Sequence, residues 1–204
     1  MRRSLERALR VALGTTRNNP LRPSADRLHA LAAAATGAVG GMFGLPGLIV
    51  ELPATTVIML RSIAEVARSD GADLDDPINR VHCLEVFALG RTSREAAETG
   101  YFAARGAIAA AVGEAAHHVA TRGISSRGAP ALVRLVDTIA TRFGVVVQEK
   151  LVLELLPLIG AASGAAINTV FIAHFQHTAR GHFIVRRLED TYGPERIRES
   201  YRTL

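Results

Sequence analysis

The sequence predicts an all-α fold with no sheet. Three observations carry that expectation. Apolar residues recur at helical spacing along most of the chain, and no stretch sustains the two-residue alternation of a half-buried strand. Hydrophobic residues make up 49% of the chain while aromatics make up only 5%, with no Trp. Apolar bulk made of Ala, Leu, Val and Ile suits close helix packing and gives little sheet material. At 204 residues the chain is long enough for one domain with a sizeable core.

Each element follows from the spacing of apolar residues and the punctuation between them. "SLERALRVAL" sets Leu5, Leu9, Ala12 and Leu13 on one side, a short amphipathic helix with Ser4 as N-cap. "GTTRNNPLRP" breaks it, so residues 1–24 read as a basic amphipathic arm and 25–204 as the helical domain. Ser24 caps a helix running into "HALAAAATGAVGG". Pro46 between Gly44 and Gly47 marks a turn, and a third helix runs from near Gly47 to about Arg68. "SDGADLDDP" ends it, and the next helix spans roughly 77–89. The run from "GRTSREAAETG" to "HHVATRG" reads as one long helix, and "ALVRLVDTIATRFGVVVQEKLVLELL" as one or two broken near Gly144. "GVVVQ" is the best strand candidate, but it stands alone. Pro157 opens the last long helix, Gly193-Pro194 stops it, and a short amphipathic tail follows.

From Leu28 to Leu60 the single formal charge is Glu51. A membrane span needs about 20 apolar residues without a sharp break. Gly44-Leu45-Pro46-Gly47 interrupts this run and Glu51 follows within a turn, so a helical hairpin fits better than a straight span. The hairpin could dip into a bilayer or fill the core. Leu155 to Ala179 is long enough to span, but Ser163, Asn168, His174, Gln176 and His177 favour a buried central helix. Small residues four apart, at Gly37, Gly41, Gly44, Gly160 and Gly164, let helix backbones approach closely. The fold is therefore expected to build around glycine-rich helical hairpins.

Net charge is +5, and every basic residue except Lys150 is Arg. Residues 1–27 hold seven Arg against Glu6 and Asp26. Arg2, Arg3, Arg7 and Arg10 are candidate contacts for phosphate, on an anionic membrane surface above all. No specific nucleic-acid partner is expected, because aromatic stacking groups do not accompany the charge. Cys83 as the sole cysteine excludes an intrachain disulfide framework and fits a reducing cytoplasm.

"GGMFGLPGLIVELPATTVIMLRSIAEVARSDGADL" followed by "CLEVFALG" resembles the signature of the EcsC protein family. "LPLIGAASGAAINTVFIAHFQHTARGHFIVRRLEDTYG" resembles that family's second conserved block, so the resemblance covers about residues 25–202. Arg91 stands where the pattern leads one to expect a second glycine. The second block is also similar to glycine-zipper domains that accompany membrane-associated GTPases. No G-x-x-x-x-G-K-[ST] is present, so the chain is no P-loop hydrolase itself. The resemblance implies a bacterial, helical, membrane-associated protein, an accessory to a membrane transporter, and it implies no reaction.

The residues themselves offer one buried polar cluster. At 100° per residue Glu51, Thr55, Ser62 and Glu65 share one stripe within about 80°, flanked by Arg61. Glu85 lies inside an apolar helix, and Lys150 and Asn168 complete the candidate set. Two readings stand side by side. The carboxylates could form an ion-pair network that fixes helix register, with Lys150 or an Arg of 180–187 as partner of Glu51. Alternatively Glu51, Glu65 and Glu85 could serve a hydrolase or metal-dependent enzyme, with Glu51, Glu85, His174 and His177 as metal ligands. The first reading assigns no catalytic residue, no metal and no cofactor. G-x-S-x-G and H-E-x-x-H are both absent.

Overall fold

A computed structural model describes residues 23–43, 45–89, 100–122, 130–139, 141 and 161–203. All regular structure among the described residues is helical. The elements are α1 (Asp26–Phe43), α2 (Leu45–Ser69), α3 (Pro77–Leu89), α4 (Gly100–Gly106), α5 (Ala109–Arg122), α6 (130–139), α7 (Ala161–Tyr192) and α8 (Pro194–Arg202). The expected basic arm, the strand candidate "GVVVQ", Arg91, Lys150, Gly44 and Gly160 lie outside the described residues.

Two helix ends are set by glycine. Gly71 takes φ 98°, with its own N–H on the Arg68 carbonyl at 3.1 Å and the Ala72 N–H on Ala67 at 2.9 Å. That paired pattern is the left-handed C-terminal cap of α2, which a Cβ would strain. Gly193 at φ 88° turns the chain between α7 and α8, with Pro194 opening α8. The single long helix expected before residue 123 is instead two. α4 ends at Gly106, and Ala107 and Ile108 form a tight turn with the Ile108 N–H on the Arg105 carbonyl. Ile108, just before α5, is 1% exposed and continues the buried face of Val112, Ala115 and Val119.

α1 packs along α7 and α2, and α2 also meets α7, so these three form one bundle. The buried line on α7 runs Gly164, Asn168, Phe171, Phe175, Ala179, His182, one face of a helix. Gly37 and Gly164 bring α1 and α7 into backbone contact: a Cβ on Gly164 would strike the Gly37 carbonyl and come within 3.3 Å of the Gly41 Cα. The close approach therefore joins two helices far apart in sequence, not the two arms of a glycine-rich hairpin. α3 lies against α2, α5, α7 and α4, and every residue from Val81 to Leu89 is buried. Phe87 of α3 stacks on Phe175 of α7 with centroids 4.9 Å apart. No described helix is long and apolar enough to cross a membrane.

Two glycines of α7 separate packing from propensity. Gly164→Ala drives a methyl group into the α1 backbone and should cost about 1–3 kcal/mol, or some 2–4 °C in Tm per kcal/mol for a chain of this size. Gly181 has open space around a built Cβ, so Gly181→Ala should leave Tm unchanged or raise it by the helix-propensity gain of about 0.5–1 kcal/mol. Thermal melting of the two single variants checks both signs.

Candidate functional site

Among the described residues, two separate clusters of buried polar side chains surround carboxylates. The first sits where α1, α2 and α7 meet. Asn168 Nδ2 donates to Glu51 Oε1 at 2.9 Å and to the Ala33 carbonyl at 3.0 Å. Thr36 and Thr55 close the ring, with their hydroxyl oxygens 3.1 Å apart. Gly40 makes room for it, because a Cβ there would collide with the Glu51 carboxylate. Glu51, Thr55 and Asn168 are all buried. Of the residues grouped from the sequence, the structure brings Glu51 and Asn168 together, and Gly40 is an addition to them.

Other members of the expected cluster belong elsewhere. Arg61 is exposed, on the solvent side of α2, and is not part of a buried cluster. Glu65 is half-buried at the start of α1, where it accepts the Ala25 N–H at 2.9 Å and lies 3.8 Å from His29 Nε2. Ser62 accepts from Gln176 Nε2 at 2.9 Å. Two of the three Arg residues expected as partners of Glu51 are engaged elsewhere: Arg180 binds Asp26 at 2.7 Å, and Arg187 donates to the Asp70 carbonyl at 3.3 Å. A shared stripe on α2 was correct as angular bookkeeping. It spans 14 residues, however, so its ends meet different neighbours about 21 Å apart.

The second cluster surrounds Glu85, in the middle of the fully buried run of α3. His82 Nδ1 donates to Glu85 Oε2 at 2.8 Å, one turn earlier on the same helix. His182 of α7 brings Nε2 to 3.5 Å from the same oxygen, and Arg105 of α4 brings Nε to 3.5 Å from Glu85 Oε1. Arg105 is held by Glu189 of α7 at 2.8 Å. The Tyr101 hydroxyl lies 3.0 Å from His182 Nδ1. Ring contacts between Tyr101, Phe102 and Tyr201 cover this side. α3, α4 and α7 therefore each bring a polar side chain to this one carboxylate.

Burial pushes the Glu85 carboxyl up, but the His82 hydrogen bond and then the cationic neighbours outweigh it and hold the group below its ordinary value. Burial pulls His182 down to about 3, only partly opposed by Glu85. His182 is thus neutral near pH 7, and Arg105 with the His82 donor keeps Glu85 ionised. Burial raises the Tyr101 phenol, which stays protonated. Cys83, pushed up to about 12 by burial, is an inert core thiol.

The metal set read from the sequence does not assemble. Glu51 and Glu85 occupy different clusters, His177 is exposed, and His174 lies edge-on to its neighbour Phe175. Among the described residues, those that could hold an ion are His82, Glu85 and His182, whose ligand atoms all lie within 4.8 Å of one another. Sequence reading missed both histidines. The usable signals were the His-x-x-Glu spacing inside "VHCLEVFAL" and the helical step from Phe175 through Ala179 to His182.

Helices closed over buried polar clusters, with no strand among the described residues, define an all-α protein. By its sequence the chain belongs to the EcsC protein family, whose model matches residues 11–188. No curated protein and no solved structure matches it.

Two tests follow from these clusters. Asn168→Ala removes the donor facing Glu51 and should cost on the order of 3 kcal/mol, because a buried carboxylate loses a hydrogen bond. The loss should shrink in a Glu51→Gln background, and a double-mutant cycle in urea measures that coupling. His182 sets a pH dependence. Its folded value lies below the unfolded 6.5, so the unfolded chain binds the extra proton as pH falls. Stability should therefore drop from pH 6.5 toward 4 with this group adding about 1.4 kcal/mol per pH unit. Melts with chelator present should show that slope, and His182→Gln should lack it.

Proposed function

We propose that this chain is a membrane-associated protein that lies on the cytoplasmic face without crossing it. The observation that carries the reading is an uncharged stripe on the outer side of α1. Leu28, Leu31, Val39 and Met42 are 56–69% exposed, and exposed Ala35 fills the gap between them. Their spacing of three and four residues puts them on one helix face. Val170 on α7 is exposed to a similar degree, with exposed Ala162, Ala166 and Ala173 at helical steps along it. Apolar stripes of this kind enter the headgroup region when a helix lies in the membrane plane.

Charge supports the same occupant. The seven Arg among residues 1–27 precede the stripe directly, and an anionic leaflet attracts such a segment by about 1 kcal/mol per basic residue near the surface. Apolar insertion and a polybasic arm are the two signals that stable peripheral binding needs. The family resemblance adds a membrane transporter as the protein partner at that surface.

Sedimentation with liposomes tests this reading. Wild type should bind vesicles containing phosphatidylserine and weaken as salt rises, because exposed charges are screened over about 8–10 Å. Leu31→Asp with Met42→Asp should weaken binding about tenfold or more at unchanged Tm, since both side chains are exposed. Equal binding to neutral and anionic vesicles at every salt concentration would remove the role of the arm. Unchanged binding of the double variant would remove the stripe, and absence of wild-type binding the whole reading.

A further inference from the structure

Independently of any membrane, the second cluster carries a feature that its hydrogen bonds do not explain. His182 is 0% exposed, its ring is fixed through Nδ1 by Tyr101, and its Nε2 is buried with no hydrogen-bond partner among the described residues. That nitrogen faces Glu85 Oε2, which already accepts from His82 Nδ1. Two imidazole nitrogens and a carboxylate therefore converge on one point inside the protein. A purely structural pair needs one histidine, and the second leaves a buried polar atom unsatisfied, at a cost.

We propose that His82 Nδ1, the Glu85 carboxylate and His182 Nε2 bind one divalent transition-metal ion of the zinc class. The geometry is close to what such an ion requires. Zinc lies about 2.0–2.1 Å from nitrogen and oxygen donors, which sets tetrahedral neighbours about 3.3–3.4 Å apart. His182 and Glu85 stand at 3.5 Å, and His82 and Glu85 at 2.8 Å. The shorter distance is a hydrogen bond. It opens by roughly half an ångström when the ion takes the place of the Nδ1 proton and the neutral ring carries its one proton on Nε2 instead. All three donors come from helices, so the site is rigid.

The surroundings are those of a metal centre. With an ion on Nε2, His182 would donate its Nδ1–H to the Tyr101 hydroxyl 3.0 Å away; such outer partners orient ligating histidines. Arg105 is already drawn toward Glu189 by the shorter of its two ion pairs, at 2.8 Å against 3.5 Å to Glu85. It can therefore stay on Glu189 when a cation takes the Glu85 carboxylate. Imidazole and carboxylate donors select zinc, iron, nickel or copper over magnesium and calcium. Three protein ligands leave a fourth position for water. Tyr101 and Arg105 are half-buried, so the site lies one side chain below the surface.

The test is titration of the full chain, stripped with chelator, with Zn²⁺ against a competing indicator, and Tm measured in parallel. Wild type should bind one equivalent tightly and melt higher. His82→Ala and His182→Ala should each weaken binding at least about a hundredfold, and Tyr101→Phe about tenfold. His174→Ala and His177→Ala should bind as wild type. Imidazole nitrogen NMR of wild type guards against unfolded variants: of seven histidines, only the rings of 82 and 182 should shift when Zn²⁺ is added. Equal affinity in wild type and folded His182→Ala would falsify the proposal, as would shifts confined to other rings. Failure of wild type to bind Zn²⁺ or Co²⁺ below micromolar concentration would do the same.

Discussion

The contact on which the rest of this structure depends is the meeting of two backbones at Gly37 and Gly164. With no side chain on either helix at that point, α1 lies directly on α7. That closeness brings the Ala33 carbonyl and the Glu51 carboxylate within reach of one amide, Asn168. Any larger residue at the crossing would hold the helices apart and break those bonds together. The glycines act through space they leave empty, and the Asn168 hydrogen bonds make the vacated space specific.

The helices of this fold were legible because apolar spacing and glycine-proline punctuation are local signals. α3 was read at its observed limits from "DDP" and the apolar run behind it. The break at Gly106 was not, because the alanine-rich sequence on both sides has a helical propensity that conceals the turn at Ala107 and Ile108. The pair Glu51 and Asn168 could be read as buried polar residues in apolar surroundings. Their exclusion of Arg61 could not, since a helical stripe fixes angle but says nothing of which neighbour lies at each height.

The histidines show the same limit more sharply. His174 and His177 look like a pair in sequence because they are one turn apart. In space they are ordinary residues at the edge of α7, while the histidines that meet are a hundred residues apart in the chain. Glu85 chooses between them: it lies in the buried run of α3, so its charge must be met from within, and α4 and α7 each send a polar group to it. A buried carboxylate organises its environment in this way because leaving it unmet costs several kcal/mol.

Finally, α7 carries Asn168 and His182 fourteen residues apart, close to a whole number of turns and about 21 Å along the axis. One rigid element therefore closes both clusters from nearly the same face. Turning α7 by a single residue would rotate both side chains away by about 100° and strand two buried carboxylates at once. The helix works as a key with two teeth: a misaligned insertion fails at both, and near-native registers gain no partial reward. This widens the energy gap between the correct packing and its closest competitors, a form of fold specificity that hydrophobic contacts alone supply poorly.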